Sequence, residues 1–365
     1  MPSIENIETR LFIDGKFVEG AEKKKFDAVN PATEEVITSV SQASAQDVDR
    51  AVEAARRAFE DGSEWRRMPG TRRRDLMLKL ASLIERDINE LAQLESMNNG
   101  KPVAEDGKKY GSMADLKNVV SVIRYYAGHA DKLNGQCIPV AGGHHVYTIR
   151  EPVGVCAMII PWNFPTLMMA RKISPALAMG CTLVVKPSTK TPLTALKIAA
   201  LSNEAGFPPG VLNVLCGHGG DVGKAMASHA DVDKVAFTGS TKVGHDIQEY
   251  AATSNLKRVS LELGGKSPLI VFDDANMKQA VETAHSGERR LFWGGETRAL
   301  VFSLTRRAGF GSDFHEYGPK LLRGLAAVRA SGNLRRFHEA IRRVGGNDLS
   351  GRPQRPENRA GPFGG

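Results

Sequence analysis

Cysteine is scarce and scattered in this 365-residue sequence. Its four cysteines form no CxxC pair and no cluster with histidine; they are Cys137, Cys156, Cys181 and Cys216. This spacing argues against a disulfide framework and against a zinc site of the usual pattern. We therefore expect buried, reduced thiols and no metal.

Long apolar runs are missing as well. None approaches the roughly 20 residues that a membrane-spanning helix needs. The N-terminus carries Glu5 and Glu8 and has no apolar segment, so neither a secretory signal nor a transit peptide is indicated. A hydrophobic content of 41% is ordinary for a soluble globular protein, and the length leaves room for about two domains. We expect a cytoplasmic location and no membrane partner.

The excess positive charge lies entirely in one part of the chain. The net charge is +8, and residues 288–365 alone contain 15 basic and 7 acidic residues, a surplus of 8. A solvated, poorly ordered Arg/Gly-rich tail is the main expectation. RNA binding by this tail is the alternative. It is disfavoured because regular RGG repeats are missing and aromatic residues are few.

The first 131 residues predict a hairpin followed by helices. Leu11–Val18 contains an Asp-Gly turn between apolar residues, which is typical of a β-hairpin. Residues 47–59 predict an amphipathic helix that begins with a capping box of Ser44 and Asp47. Apolar residues at three- and four-residue spacing predict longer helices over 72–97 and 113–131.

From Val153 onward the pattern becomes strand, turn, helix. Predicted strands cover 153–160, 182–186, 211–215, 234–238 and 258–263. Predicted helices cover 167–179, 193–205, 222–229 and 243–253. Continuous apolar strands alternating with helices predict an α/β fold, a Rossmann-like doubly wound parallel sheet.

A second domain begins after this sheet. A strand over 269–272 and a helix over 277–285 are predicted there. Beyond residue 287 only short helices, 320–330 and 333–343, are indicated. We find no strand–helix alternation that would complete a second α/β domain.

Three segments at predicted strand ends have residue types suited to chemistry. Gly239–Gly244 follows a strand and opens a helix, so its free N–H groups could hold a pyrophosphate; a plain turn is the alternative. Pro161–Pro165 forms a loop fixed by two prolines. Glu262, between Leu261 and Leu263, is expected to be poorly solvated, which raises its pKa toward that of a general base. An exposed glutamate at a strand end is the alternative.

Taken in order and spacing, the segments Pro161–Pro165, Phe237–Gly244 and Val259–Pro268 resemble the NAD(P)-dependent aldehyde dehydrogenases. The resemblance covers residues 8–287 and is greatest to the aliphatic and retinal-oxidising branch. It implies a dinucleotide-binding domain at 1–131 and 150–264, an oligomerisation arm at 132–149 and the start of an incomplete catalytic domain at 265–287. Family members form homo-oligomers, although the terminal oligomerisation strand is not found in this sequence.

The resemblance also implies a role for each matching residue. Glu262 would activate water, Asn163 would stabilise an oxyanion and Lys172 would assist proton movement. Ser240 would contact the pyrophosphate and Lys186 the adenosine ribose. The remaining cofactor-binding residues implied are Pro161, Trp162, Ser188, Thr189, Gly219, Phe237, Gly239, Val243, Gly244 and Leu263.

Simpler interpretations of three of these residues stay open. Asn163 could bond its own backbone in a tight turn. Lys172 could be a solvated helix residue, and Lys186 could simply lie at a strand end.

Thr189 bears on the choice between NAD and NADP. Many NAD-preferring family members have a glutamate there, which binds the ribose hydroxyls and repels a 2′-phosphate. With Thr189 followed by Lys190, that repulsion is absent and a cation is close in sequence. We therefore expect either NAD or NADP as cofactor.

The nucleophile that the family requires is not found. In the family a cysteine thiolate adds to the aldehyde, and the resulting thiohemiacetal gives up hydride. No cysteine follows Cys216, and counting from Phe292 places Ala299 at the nucleophile's position. Ser303 and Thr305 are nearby hydroxyls without an evident activating base. The sequence predicts an inactive aldehyde dehydrogenase-like chain; a non-catalytic NAD(P)-binding subunit is the alternative.

Overall fold

The computed structural model describes residues 7–103 and 111–265, together with 269–271, 275–276, 278–280, 299–301 and 325–327. The chain divides into two compact units, Met1–Leu263 and Gly264–Gly365. No helix of the described residues is long and apolar enough to cross a bilayer.

The first unit begins with two antiparallel pairs. Strands β1 (Leu11–Ile13) and β2 (Lys16–Val18) are joined by Asp14 and Gly15, whose φ angles are 52° and 73°. Two positive φ values in a two-residue loop match the twist of a hairpin, so the predicted hairpin is confirmed. Strands β3 (Lys25–Val29) and β4 (Val36–Ser41) form the second pair.

Five helices follow: α1 (Ala45–Phe59), α2 (Glu64–Arg67), α3 (Gly70–Arg86), α4 (Ile88–Asn99) and α5 (Ser112–Ala127). At the start of α1 the Asp47 carboxylate accepts the Ser44 backbone N–H at 2.9 Å, as the predicted capping box requires.

The prediction of one helix over 72–97 is wrong. The chain breaks at Asp87, where φ is −95° and ψ is 15°, and α3 ends. Arg86 holds the Asp87 carboxylate at 2.7 Å, and Asp87 supplies the first carbonyl of α4. Apolar spacing alone does not register this break, because both helices bury apolar residues at helical intervals.

A short exposed hairpin, β5 (Cys137–Ile138) with β6 (Val146–Tyr147), precedes the main sheet. Cys137 is exposed, so the expectation that all four thiols are buried is wrong for this one.

The strands and helices that follow alternate much as predicted. Its elements are β7 (Val155–Ile159), α6 (Pro165–Ala178), β8 (Thr182–Lys186), α7 (Leu193–Ala205), β9 (Leu212–Val214), a π-helical turn at Gly219–Gly223, α8 (Lys224–Ser228), β10 (Lys234–Thr238), α9 (Thr241–Thr253) and β11 (Arg258–Glu262).

These strands form one seven-stranded sheet in the order β11-β10-β7-β8-β9-β1-β2. The first five are parallel, and the β1–β2 hairpin adds to the far edge in antiparallel sense. Every residue of β7 and β8 is buried, as expected for central strands covered on both faces. The predicted doubly wound sheet is confirmed.

The second unit contains a three-stranded parallel sheet among its described residues, β12 (Leu269–Val271), β13 (Ala299–Val301) and β14 (Leu325–Ala327). The strand predicted over 269–272 is confirmed, and residues 278–280 of the helix predicted over 277–285 are helical. The helix predicted over 320–330 is wrong at β14, because a short apolar run does not distinguish helix from strand. Only short helices were indicated beyond residue 287, and the strands β13 and β14 were not predicted there. The helix predicted over 333–343 lies outside the described residues.

Candidate functional site

The candidate site lies at the carboxyl ends of the parallel strands. The order β10-β7-β8 reverses at β7, because the chain runs from β7 toward β8 and later returns to the other side at β10. In open α/β sheets a ligand crevice forms at this switch point. The loops after β7, β8, β10 and β11 hold most of the residues singled out from the sequence.

Helix α9 presents its N-terminus at this crevice. Ser240 caps it with φ −72° and ψ 150°, and its Oγ accepts the Val243 N–H at 3.4 Å. Both side chains are exposed. The first amide groups and the positive end of the helix dipole therefore face a place that an anion can reach.

The glycines around α9 allow close packing. A Cβ on Gly244 would lie 2.6 Å from Leu263 Cδ2, and one on Gly239 would lie 2.4 Å from the Phe237 ring. The Gly239 N–H donates to the Glu262 carbonyl at 3.1 Å, which ties the turn to the end of β11. Gly219 differs from these, because a Cβ there would meet open space.

Helix α4 binds the loop after β7 through a side-chain hydrogen bond. Asn99 Nδ2 donates to the Trp162 carbonyl at 2.6 Å. The Asn163 Oδ1 accepts the Phe164 N–H at 3.1 Å, the local turn bond considered as the simpler interpretation. With its oxygen engaged, Asn163 keeps the Nδ2 group as the donor for a ligand.

Lys186, at the end of β8, is turned inward. It is 4% exposed, and its Nζ donates to the Pro187 carbonyl at 3.1 Å. Burial lowers the pKa of Lys186 to about 8. In this arrangement its ammonium bonds the chain's own backbone. The ribose contact stays a prediction.

The two residues after Pro187 face the crevice more openly. Ser188 and Thr189 are half-buried, and the Ser188 Oγ accepts the Lys190 N–H at 3.3 Å. The exposed Lys190 lies with its Nζ 5.4 Å from the centre of the Trp162 ring, within cation–π range. The loops after β7 and β8 are thus brought together by the structure.

The prediction that Glu262 is shielded from water is wrong, because this residue is exposed. Successive residues of a strand point to opposite faces, so Leu261 and Leu263 cannot cover the carboxylate between them. Leu263 packs toward Gly244 of α9. Glu262 points to the other face, on which Ser260 bonds Lys234 at 2.6 Å.

Lys172 lies on the Glu262 side of the sheet and interacts with that carboxylate through space. Burial lowers the pKa of the Lys172 ammonium to about 8, while the negative charge of Glu262 opposes the shift and Lys234 adds to it. A lysine with this pKa exchanges a proton readily near neutrality. The solvated-lysine interpretation is therefore disfavoured.

Sequence reasoning missed the contribution of α4. Asn98 Nδ2 donates to the Lys190 carbonyl at 3.1 Å, and its Oδ1 accepts the Leu193 N–H at 3.2 Å. Glu95 accepts the hydroxyl and the N–H of Thr166. The only local signal is the Asn-Asn-Gly helix end, and the partners lie about 60 to 95 residues away in sequence.

Comparison with known sequences identifies the family. Residues 17–290 match the sequence model of the aldehyde dehydrogenase family. The chain belongs to this family. It is 52% identical to human retinal dehydrogenase 2 over 286 residues, which are 78% of this chain and 54% of the relative. It is 55% identical to mitochondrial aldehyde dehydrogenase of Mesocricetus auratus over 276 residues, 76% of this chain and 54% of that protein.

The fold matches as well. Betaine aldehyde dehydrogenase from Staphylococcus aureus, solved with NAD+, aligns with a TM-score of 0.80 and 36% identity. The alignment covers 93% of this chain and 61% of that one. The chain spans about half the length of the curated aldehyde dehydrogenases it matches.

A nicotinamide dinucleotide fits the residues present in this aldehyde dehydrogenase chain. The exposed α9 N-terminus suits a pyrophosphate, and the open space at Gly219 leaves backbone within reach of a ligand. The apolar side chains of Val243 and Leu263 are 41% and 39% exposed beside it. The Lys186 ammonium is turned inward and does not offer the predicted ribose contact in this arrangement.

Proposed function

We propose that this chain binds NAD or NADP at the carboxyl edge of its sheet and does not oxidise aldehydes through a thiohemiacetal. The proposal rests on one observation, the absence of a cysteine after Cys216 in a sequence that keeps an exposed helix N-terminus. Residues 217–365 contain no cysteine, whereas the α9 N-terminus that would hold the dinucleotide is present and exposed.

On this proposal different residues of the chain bind the nucleotide and take part in proton transfer. The amides at the start of α9 and the Ser240 hydroxyl bind the pyrophosphate, and Val243 supplies apolar contact on the same side. Asn163 Nδ2 donates to a carbonyl oxygen, and Lys172 exchanges a proton beside Glu262. The bound nicotinamide would supply hydride acceptance.

Without a thiolate the proposed chain keeps binding and loses turnover. Removing a covalent nucleophile commonly lowers turnover by about four to six orders of magnitude, while the binding groups remain. The aldehyde itself stays the expected small-molecule ligand by family resemblance.

A second candidate function, a non-catalytic subunit of a homo-oligomer, is favoured by the segment 132–149. This segment exposes apolar side chains, including Tyr147 of its β5–β6 hairpin at 61% and Ile149 at 71%. A group of exposed apolar residues is typical of a surface that packs against another chain.

The nucleotide site is tested by Ser240→Asp. Aspartate caps a helix as well as serine does, so α9 keeps its N-cap, but the added carboxylate repels a pyrophosphate. We expect calorimetry to show dinucleotide binding at least tenfold weaker than in the parent. Ser63→Asp is the matched control, because Ser63 caps α2 in the same way, accepting the Arg66 N–H at 3.2 Å.

Binding by Ser63→Asp should stay within twofold of the parent. If both variants bound the dinucleotide equally weakly, the added charge would act regardless of its position, and the α9 N-terminus would not be identified as the site. Parent-like binding by Ser240→Asp would remove α9 from the site.

A further inference from the structure

A cavity of about 570 Å³ lies in the first unit at the amino end of its sheet. Lys234, the first residue of β10, lines it, and so do Gly180 and Cys181, which immediately precede β8. Helix α6 leads from the carboxyl end of β7 back to the amino end of β8, so Met179 at the end of this helix lines the cavity as well. The nucleotide crevice lies at the opposite, carboxyl end. Of the residues proposed for nucleotide binding and proton transfer, Lys172 alone lines the cavity.

The walls of this cavity carry an excess of positive charge. They contain six basic side chains, which are Arg66, Arg73, Arg150, Arg171, Lys172 and Lys234. The two acidic side chains of the walls already have cationic partners. Glu151 lies 4.0 Å from Arg66, and Asp131 lies 2.6 Å from Lys132. The other basic groups are therefore not neutralised by the acidic groups of the lining.

Three of the six cations have no ion pair within the part of the chain that the structure describes; these are Arg150, Arg171 and Lys172. Arg150 and Arg171 are exposed, so both can turn toward a ligand. Arg73 is more fixed, because its Nε and Nη1 donate to backbone carbonyls, the Nε at 3.1 Å. Neutral carbonyls orient a guanidinium without cancelling its charge. The cavity thus offers positive charge to an anion.

Apolar side chains form much of the remaining wall. They include Met158, Pro175, Met179 and Leu133, together with Trp65. The Trp65 ring is buried, and its Nε1 donates to the carbonyls of the two residues before β8 at 3.1 Å each, which fixes the ring in place. Cavities of roughly 300–1,000 Å³ that combine apolar walls with a few charged groups are typical of small-ligand sites.

The charge of the cavity also decides which occupant fits. The chain's own residues 288–365 carry a surplus of 8 positive charges and so do not complement cationic walls. A purely apolar molecule would leave Arg150 and Arg171 without a partner, and a small inorganic anion would leave the apolar wall uncovered. A molecule with an apolar body and one negative group satisfies both parts of the lining.

We propose that this cavity binds a small amphipathic carboxylate independently of the dinucleotide. The apolar chain of the ligand lies against Trp65 and Met179, and its carboxylate pairs with Arg171 and Arg150. A guanidinium presents two parallel N–H groups to a carboxylate, which makes arginine a strong partner for this group.

Octanoate is a suitable probe, and calorimetry on the full chain measures its binding. Three matched compounds separate the contributions of chain and charge: octan-1-ol keeps the chain without the charge, octylammonium reverses the charge, and acetate keeps the charge without the chain. We expect octanoate to bind at least tenfold more tightly than each of the three. Undetectable octanoate binding, or equal affinity for octan-1-ol or acetate, would overturn the proposal.

Substitution of two exposed arginines locates the site. The double variant Arg150→Gln/Arg171→Gln removes two charges of the lining that have no ion pair, and octanoate binding should weaken at least tenfold. Arg72→Gln/Arg258→Gln is the matched control, because it removes two exposed arginines that do not line the cavity. Its octanoate binding should stay within twofold of the parent. Equal weakening in the two double variants, or parent-like binding by the first, would contradict the assignment.

The independence of this site from the nucleotide crevice is measured on the same proteins. NAD+ binding by Arg150→Gln/Arg171→Gln and octanoate binding by Ser240→Asp should each stay within twofold of the parent. The two proposals therefore fail separately, since each has a variant that affects only its own ligand. Competition between octanoate and NAD+ for the parent chain would show that octanoate occupies the crevice and not this cavity.

Discussion

At the residue scale, Thr189 is the position that bears most directly on cofactor choice. It is half-buried at the end of β8, and the exposed Lys190 beside it approaches the Trp162 ring at 5.4 Å. No carboxylate stands at position 189 to repel a 2′-phosphate, and a cation lies next to it. We therefore infer that the chain accepts NADP as well as NAD.

The variant Thr189→Glu tests this inference. A carboxylate there repels the 2′-phosphate and can bond the ribose hydroxyls. We expect the parent to bind NADP+ less than tenfold more weakly than NAD+, and the variant to weaken NADP+ binding at least tenfold with NAD+ binding retained. Calorimetry with both nucleotides measures the two ratios.

Thr253→Glu is the control, since it adds the same charge at the other end of α9. Thr253 lies twelve residues after Thr241, the first residue of α9, which is about 18 Å along the helix. The ratio of its dissociation constants for NADP+ and NAD+ should match that of the parent. A parent ratio above tenfold would contradict the inference.

At the element scale, α4 holds the loops of the crevice in place. From one helix, Glu95, Asn98 and Asn99 bond Thr166, Lys190 and Trp162, which lie in or beside two loops of the crevice. Glu95 is fully buried, and burial raises the pKa of its carboxyl group to about 7. The native state therefore holds the Glu95 proton at pH values where an unfolded chain has released it.

This shift predicts a pH-dependent stability with a definite sign. The proton is lost near pH 4.5 in the unfolded chain and near pH 7 in the native one, so native stability falls as pH rises through this window. Glu95→Gln stays neutral and avoids the loss. Its free energy of unfolding should approach that of the parent near pH 4.5 and exceed it by at most about 3 kcal/mol at pH 8.

Urea unfolding at several pH values measures the difference. Glu90→Gln, which makes the same substitution on the same helix at a partly exposed ion pair with Lys197, is the control for replacing a carboxylate by an amide. A difference between Glu95→Gln and the parent that stays flat from pH 5 to 8 would show that Glu95 is not protonated in the native state.

The elements themselves were predictable where local sequence decides them. The strands from β7 to β11 are short apolar runs between glycine, proline and polar residues, and their positions agree within a few residues. The break at Asp87 and the strand β14 were not predictable. Apolar periodicity does not show where one helix ends when the next buries apolar residues at the same spacing, and a run of three residues is too short to distinguish a strand from a helix. The exposure of Glu262 follows from strand alternation and was open to prediction.

What sequence reasoning could not supply are contacts across long separations. The bonds from α4 to the loops join residues about 60 to 95 positions apart. Nothing in either segment alone specifies its partner. The roles of site residues that depend on a bound ligand stay predictions.

At the scale of the whole molecule, the described core belongs to the first unit. Its buried apolar residues run from Leu11 to Ala251. This unit contains the α9 N-terminus, Asn163, Lys172 and Glu262, the groups proposed for binding and proton transfer. The residues beyond it contribute no thiol. The proposed function therefore assigns nucleotide binding to the first unit and expects no thiolate-dependent turnover from the chain.

The most direct measurement is the aldehyde-dependent rise in NAD(P)H absorbance, taken on purified chain that calorimetry has shown to bind the nucleotide. We predict stoichiometric nucleotide binding and a rate at least four orders of magnitude below an ordinary aldehyde dehydrogenase. Turnover at ordinary rates that is lost in Ser240→Asp, and so belongs to this chain, would contradict the account.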